Sequence, residues 1–162
     1  MIIKPFNMEN KIARNEKYGG YQSEDSLVRD FCSALESNNS PWGQVGLTRE
    51  FNYTRGRTDV VAVDNLGHVI AFEMKLKKWA QAMHQAYRNT CFAHSSYVVL
   101  PEPIALHAQS NCYEFSRRAI GICYIKDKTV VVNLHAKHQI PIQPWLSRIA
   151  VEKTLDKKNG EF

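Results

Sequence analysis

Two carboxylates and one lysine interrupt an otherwise apolar segment, RTDVVAVDNLGHVIAFEMKLK, which covers residues 57–77. Asp59 and Glu73 stand where a buried strand would favour apolar residues, and Lys75 follows Glu73 by two positions. Carboxylate oxygens, together with waters and substrate phosphates, are the ligands that Mg²⁺ prefers. A divalent ion lowers the pKa of a coordinated water and neutralises charge on a phosphoryl oxygen. A neighbouring lysine can orient or deprotonate that water, or stabilise the transition state, so these residue types suit metal-dependent phosphoryl hydrolysis.

The turn between the two strands decides whether the two acids meet. Gly67 suits the left-handed position that ends a three-residue hairpin loop, after Asn65 and Leu66. Residues opposite each other in an antiparallel pair have Cβ atoms about 4.5–5.5 Å apart on one face of the sheet. A loop of this length gives the pairs Asp64 with His68, Val63 with Val69, Val61 with Ala71, and Asp59 with Glu73.

Such a pair of acids is electrostatically unfavourable without a cation. Like charges opposite each other destabilise a sheet, and each carboxylate raises the pKa of the other. Lys75 shares their face of the hairpin, whereas Phe72 and Met74 point into the core. The alternative is a solvated hairpin end with surface charges, but the flanking residues are apolar. A change of register by one residue would place the acids on opposite faces.

The elements around the hairpin follow from periodicity and from turn residues. Residues 23–39 predict a helix, because Ser23 can cap its N-terminus and an apolar stripe follows at Leu27, Phe31, Ala34 and Leu35. The remaining segments are strands at 44–53, 58–64, 68–75 and 95–101, helical residues at 76–94 and 102–118, strands at 119–126 and 129–137, and a short C-terminal helix. This order predicts an α/β sandwich in which helices flank a central mixed β-sheet with a three-strand meander.

Residues 76–94 change to a helical period with two distinct faces. The apolar face carries Trp79, Ala82, Met83, Ala86 and Ala93, and the polar face carries Gln81, Gln85, Arg88 and Asn89.

The length of 162 residues fits one compact domain. We predict an N-terminal arm over 1–22, a single domain over 23–150 and a C-terminal tail over 151–162. The net charge of +5 is compatible with a polyanionic partner. No apolar run reaches the roughly 18 residues of a membrane helix, and the start of the chain lacks the apolar middle of a signal peptide. We therefore expect a cytoplasmic protein with no membrane partner.

Cysteine and histidine spacing gives no strong metal motif. The four cysteines, Cys32, Cys91, Cys112 and Cys123, include no CxxC pair, which argues against a zinc ribbon and a secreted disulfide scaffold. We expect them to be reduced and mostly buried. His135 and His138 have a spacing that suits a metal, but no third ligand is near them in the sequence, so a surface strand end is the favoured interpretation.

The hairpin motif resembles the PD-(D/E)xK nuclease superfamily, which has the restriction-endonuclease-like fold. Its signature is an acid at the start of one strand, a hairpin turn, and an acid-x-lysine triplet on the next strand. Here these are Asp59 in GRTDVVAVD and Glu73-Met74-Lys75 in IAFEMKLK, with Thr58 in place of the motif proline. The order of elements over residues 23–100 also matches. The resemblance implies metal-dependent phosphodiester hydrolysis, with Mg²⁺ or Mn²⁺ held by Asp59, Glu73 and the Met74 carbonyl.

Two further positions of the family can be placed on this chain. Many members carry an acid on the first helix that reaches the metal through water, and Glu24 matches it, with Asp25 as an open alternative. Either acid is also explained by the helix dipole. Many members carry a glutamine on the helix after the lysine, and Gln85 suits that place. An exposed polar helix face explains Gln85 equally well.

Basic residues flank the hairpin on both sides. They are candidates for sequence-independent contacts with nucleic-acid phosphates, and a solvated rim is the alternative for each of them. The set consists of Arg49, Arg55, Arg57, Lys77 and Lys78.

The leading hypothesis is a small Mg²⁺-dependent nuclease that acts on DNA, in which Glu24 and Gln85 support Asp59, Glu73 and Lys75. One alternative is a catalytically silent nuclease fold that serves as a nucleic-acid-binding or assembly subunit. A third possibility is a structure-selective junction resolvase, which would need a symmetric homodimer to cut two strands. The choice between DNA and RNA is open at this level.

Overall fold

A six-stranded mixed β-sheet with helices on both faces forms the part of the chain described by the computed structural model, residues 18–159. The strands follow one another across the sheet in chain order, from β1 to β6. The three-strand meander β1–β3 is antiparallel, β3, β4 and β5 are parallel, and β6 is antiparallel to β5. The predicted α/β fold class is confirmed, and the architecture is compatible with a restriction-endonuclease-like fold.

The bounds of the elements are as follows. The strands are β1 (Gly46–Tyr53), β2 (Gly56–Val63), β3 (Val69–Met74), β4 (Ser95–Val99), β5 (Ile120–Lys126) and β6 (Thr129–Leu134). The helices are α1 (Glu24–Glu36), α2 (Trp79–Asn89), α3 (Glu102–Ala108), α4 (Cys112–Ser116) and α5 (Pro144–Asn159), with a 3₁₀ turn at Gln109–Asn111.

Helix α1 begins where the sequence predicts. The Ser23 hydroxyl accepts a hydrogen bond from the Ser26 amide (3.1 Å), and the Ser26 hydroxyl accepts one from the Ser23 amide (3.3 Å). This reciprocal cap satisfies two amides that a helix N-terminus otherwise leaves unpaired. The predicted apolar stripe of α1 is buried.

The two faces of the sheet bury different residues, because successive strand side chains alternate. Helix α1 covers the face that carries Val60, Phe72 and Met74. Helix α5 and the residues after α2 cover the other face of the meander, where Val61 and Ala71 lie. Three of the cysteines are buried, Cys112 is exposed, and all four are free thiols.

Helix α5 is longer than the short C-terminal helix predicted, because it runs without interruption from Pro144 to Asn159. It continues through the predicted start of the C-terminal tail at 151, and the buried Thr154 hydroxyl lies 2.9 Å from that of Thr48 on β1. Residues 1–17 of the predicted arm and residues 160–162 lie outside the described part. No helix within residues 18–159 combines the length and apolarity needed to cross a bilayer.

The turn between β5 and β6 is a place where the sequence conflicts with the backbone. Asp127 and Lys128 both have positive φ angles, 50° and 61°, which is the pattern of a type I′ hairpin turn that favours Asn-Gly. Left-handed backbone costs an ordinary residue about 1 kcal/mol or more. We therefore expect Lys128→Gly to stabilise the protein by about 1 kcal/mol, measured by urea unfolding.

The matched control for this substitution is Lys128→Ala, which removes the same charge but keeps the Cβ atom. It should not stabilise the protein. Equal stabilisation by glycine and alanine would show that the lost charge, and not relief of backbone strain, is the cause.

Candidate active site

The β2–β3 hairpin has the predicted register. Val63 pairs with Val69 and Val61 with Ala71, and Gly67 adopts the left-handed conformation (φ 78°) that ends the loop. The Asp64 carboxylate accepts hydrogen bonds from the amides of Leu66 and His68, 2.9 Å each, which holds the loop closed. The register is therefore set by local turn chemistry as well as by the core.

Asp59 and Glu73 come together beyond the last regular pair of this hairpin. The Met74 amide donates a hydrogen bond to the Asp59 carboxylate (2.9 Å), so that a side chain takes the place of a backbone acceptor at this point. Asp59 is partly exposed, while Glu73 is 2% exposed. One acid of the pair therefore faces solvent and the other lies within the fold.

Burial raises the pKa of Glu73 to about 8, and the charge of Asp59 and a hydrogen bond between the two carboxyl groups contribute in the same direction. The hydrogen bond from Asn89 and the charge of Arg88 oppose this rise in pKa. Two neighbouring acids are stable when they share a proton or a cation, whereas two bare carboxylates repel each other. The pair is thus electrostatically incomplete when both acids are ionised.

A buried amide holds the Glu73 carboxylate. Asn89, the last residue of α2, donates from Nδ2 to Glu73 Oε1 (2.8 Å). Its Oδ1 accepts hydrogen bonds from the Thr58 hydroxyl (2.8 Å) and the Tyr53 hydroxyl (2.9 Å). The prediction that Asn89 belongs to the polar face of the helix is wrong, because Asn89 is 1% exposed. It lies seven residues after Ala82, almost two full turns, and therefore shares the buried face.

Lys75 lies between the hairpin and α1. Its amide donates to the Val99 carbonyl (3.3 Å), which continues the parallel pairing of β3 with β4. Its Nζ atom is 3.5 Å from Glu24 Oε1, and its side chain is 19% exposed. Asp25 points elsewhere and forms ion pairs with Arg29 and Arg49 (3.1 and 3.2 Å). Of the two candidate acids on α1, Glu24 is therefore the one that contacts Lys75.

The oxygen atoms at this site suit a hard divalent cation. Within residues 18–159 no three or more His, Cys, Asp or Glu side chains are arranged to hold a metal ion. Asp59 and Glu73 supply two carboxylates, each with one oxygen engaged by a hydrogen bond to Met74 or Asn89. Strand geometry directs the N–H and C=O of one residue to the same side, so the Met74 carbonyl faces the side of Asp59. Mg²⁺ accepts such a small protein set because it retains several waters.

Gln85 is half-buried on α2, and among the described residues no hydrogen bond joins it to the carboxylate pair. Its Oε1 atom is shielded from solvent and has no hydrogen-bond partner among the described residues. It lines a shallow groove with Gln81, His84, Tyr87 and Arg88. The predicted supporting role of Gln85 stays a prediction, while the residue that contacts Glu73 is Asn89, one turn further on.

The predicted phosphate-binding residues have different partners and different surroundings. Arg49 pairs with Asp25, and Arg57 lies 3.8 Å from Glu50, both at the surface. Arg55 is exposed in the β1–β2 turn. Lys77 and Lys78 line a cleft of about 440 Å³ whose wall also contains Tyr18, Glu24, Lys75, Leu76 and Gln81.

Arg88 is a further basic residue near the pair that the predicted set omits. Its guanidinium group covers Gly56, where a Cβ atom would lie 3.7 Å from Nη1. Its charge also lowers the pKa of Glu73. Arg88 lies at the end of α2 next to Asn89. Its place on the predicted polar face of this helix is the sequence feature that could have identified it as a residue of the site.

A histidine cluster lies at the opposite end of the hairpin. His138 approaches His68 and His94, with ring centroids 4.9 and 5.5 Å away. His94 Nδ1 accepts a hydrogen bond from the Val69 amide (2.9 Å), and the loop residue Asp64 is 3.3 Å from His68 Nδ1. The cluster therefore connects the segment before α5 with the hairpin loop, away from Asp59 and Glu73.

The raised pKa of Glu73 predicts a pH-dependent stability in the presence of a chelator. The folded state keeps the proton up to about pH 8, whereas the unfolded state loses it near 4.5. The free energy of unfolding should therefore fall as pH rises between these values and level off above 8. The decrease is on the order of a few kcal/mol, since one pKa unit corresponds to about 1.4 kcal/mol.

Glu73→Gln removes the titrating group and keeps an oxygen that can accept the Asn89 hydrogen bond. Urea unfolding of both proteins from pH 5 to 9 should show that the free energy of unfolding of the wild type falls, relative to that of the variant, as the pH rises. Parallel stability curves would contradict a raised pKa at Glu73.

Comparisons with known proteins identify a shared fold but do not assign this chain to a family. No family model and no curated protein matches this sequence. A protein of unknown function from Silicibacter pomeroyi has a similar structure, with a TM-score of 0.59 and 12% sequence identity over 85% of this chain and 87% of that chain. A repair endonuclease from Pyrococcus abyssi gives a TM-score of 0.43 and 15% identity over 65% of this chain and 48% of that chain. The first likeness shows a shared fold alone, and the second is too low to extend that conclusion.

Proposed function

We propose that this protein is a divalent-metal-dependent nuclease that hydrolyses phosphodiester bonds in DNA. The observation behind the proposal is the convergence of Asp59 and Glu73 from adjacent strands, with Lys75 two positions after Glu73. A buried carboxylate beside a second carboxylate is costly for the fold. The arrangement becomes favourable when a cation lies between the two acids. The protein would cleave its substrate in this cation-bound state.

Asp59, Glu73 and the Met74 carbonyl are the groups that would hold Mg²⁺ or Mn²⁺. When bound, such an ion lowers the pKa of a bound water and neutralises charge on the phosphoryl group. Burial of Glu73 excludes bulk water from one side of the site, which strengthens the electrostatic interactions made there. The partly exposed Asp59 leaves the other side open to a phosphate of the substrate.

Lys75 follows Glu73 by two positions and brings a positive charge to the end of the same strand. Its ammonium group can donate hydrogen bonds to the attacking water or to a phosphate oxygen. Glu24 limits the positions of this flexible side chain through the 3.5 Å contact. The two residues thus place a positively charged donor at the edge of the cleft that Lys77 and Lys78 line.

A nucleic acid is proposed as the substrate because basic residues lie on the elements that carry or adjoin the acid pair, and DNA is the member of this class that we test first. Lys77 and Lys78 line the cleft that also contains Lys75, and Arg88 lies against Gly56 in the region of the β1–β2 turn, where Arg55 is exposed. Contacts of this kind bind phosphates without reading sequence, and they weaken as salt concentration rises.

The experiment that tests this function uses the purified protein with labelled single-stranded, duplex and branched DNA and with RNA. Each substrate is incubated with Mg²⁺, with Mn²⁺ or with a chelator, and Asp59→Asn protein prepared in parallel controls for contaminating nucleases. We expect DNA cleavage that needs the metal and is absent from the variant. Salt-dependent DNA binding without cleavage would favour the binding-subunit alternative, and symmetric cleavage of branched DNA by a dimer would favour the resolvase alternative.

A further inference from the structure

We propose that Asn89 is a positioning residue, which holds the Glu73 carboxylate so that one of its oxygens stays available to the divalent ion. This inference rests on the proposed nuclease function and deepens it. Asn89 is not proposed to contact the attacking water or the substrate, and it acts only through Glu73.

The hydrogen bonds around the Asn89 amide define its orientation. Two hydroxyl groups, from Tyr53 and Thr58, donate to Oδ1 and occupy both of its lone pairs. The amide nitrogen is thereby directed at Glu73 Oε1, 2.8 Å away. Because Nδ2 can only donate, its hydrogen bond favours an ionised Glu73, the form that a metal ligand requires.

The same hydrogen bonds connect four elements of the fold. Tyr53 ends β1, Thr58 lies on β2, Glu73 lies on β3 and Asn89 ends α2. Thr58 is fully buried and occupies the position of the motif proline. A proline at this position would supply no hydroxyl donor. The Thr58 hydroxyl restricts rotation of the Asn89 amide by donating to its Oδ1 atom.

A purely structural role for Asn89 makes a different prediction. Buried polar groups need partners, and Asn89 satisfies two hydroxyls and one carboxyl whatever the site does. Loss of the amide would then lower stability without changing metal affinity. Residues that hold a metal ligand in place typically contribute 10–100-fold to metal affinity, which is the readout that separates the two roles.

The test measures Mn²⁺ affinity by isothermal titration calorimetry and thermal unfolding in chelator. The variants are Asn89→Leu, of similar volume, and the double variant Tyr53→Phe with Thr58→Val, which leaves Asn89 in place but removes the hydroxyls that orient it. Ser96→Ala is the matched control, because the buried Ser96 hydroxyl also joins α2 to the sheet, through the Ala86 carbonyl (2.7 Å), without contacting Glu73.

We expect Asn89→Leu and the double variant to bind Mn²⁺ about 10–100-fold more weakly, and higher Mn²⁺ concentrations to restore their cleavage. Ser96→Ala should lower the unfolding temperature and keep wild-type affinity. Wild-type Mn²⁺ affinity in the double variant would overturn the positioning role of Asn89 and leave the proposed nuclease function standing. If Asn89→Leu does not fold, the double variant alone tests the positioning role. Failure of the wild-type protein to bind Mn²⁺ would overturn the proposed function and this inference with it.

Discussion

Glu73→Gln should reduce metal-dependent DNA cleavage by at least about 10³-fold while the protein stays folded. The substitution keeps the volume of the side chain and an oxygen for the Asn89 hydrogen bond, but it removes the negative charge that the cation needs. Metal ions contribute several kcal/mol to stabilisation of the transition state, and each 1.36 kcal/mol or so corresponds to a tenfold change in rate. Single-turnover cleavage at saturating protein measures the effect without interference from product release.

The two acids are expected to act as one unit. Asp59→Asn should cause a loss similar to that of Glu73→Gln, and the double variant should be no worse than either, because effects within one catalytic unit are not additive. Glu152→Gln, at an exposed position on α5, is the matched control and should cleave at the wild-type rate. Undiminished cleavage by Glu73→Gln would place the activity elsewhere in the chain.

Lys75→Met should lower the cleavage rate about 10²–10⁴-fold, the range over which a positioned proton donor or acceptor contributes to catalysis. The methionine keeps most of the aliphatic length and removes the ammonium group. Because Lys75 is not among the proposed metal ligands, Mn²⁺ affinity should not fall. The predicted pattern is therefore a lower rate at full metal occupancy, measured by single-turnover kinetics and calorimetry on the same preparation.

Lys75→Arg and Glu24→Gln refine this prediction. Arginine keeps the charge but places it differently, so a partial activity above that of the methionine variant is expected. Glu24→Gln removes only the partner of Lys75 and should reduce the rate by a smaller factor. A Lys75→Met protein that cleaves like the wild type would refute a role for the ammonium group.

The hairpin was predictable because its determinants are local. Gly67 at the end of a three-residue loop fixes which residues pair, and the alternation of apolar side chains allows one register. Capping of α1 by Ser23 is local in the same sense. For this reason the convergence of Asp59 and Glu73 followed from a short stretch of sequence.

The role of Asn89 was not predictable in the same way. A polar residue on a helix is predicted to be exposed unless its buried partners are known. The buried partners of Asn89 come from β1, β2 and β3. The signal available was its spacing from Ala82 and Ala86, which places it on the apolar face. A polar residue at such a position calls for a search for a buried partner.

The length of α5 was underestimated for a different reason. The prolines near residue 144 suggested an interrupted segment, but proline at the first position of a helix is favoured, since its missing N–H group would be unpaired there anyway. Pro144 is the first residue of α5, and its packing against β1 through Thr154 is a tertiary contact that periodicity alone does not reveal.

The most direct test of a metal site between Asp59 and Glu73 is anomalous diffraction from crystals grown with Mn²⁺, recorded near the manganese absorption edge. We expect one Mn²⁺ peak bonded to an oxygen of Asp59 and an oxygen of Glu73, and loss of that peak in Glu73→Gln crystals grown in the same solution. A structure at saturating Mn²⁺ with no ion in reach of both carboxylates would contradict this expectation.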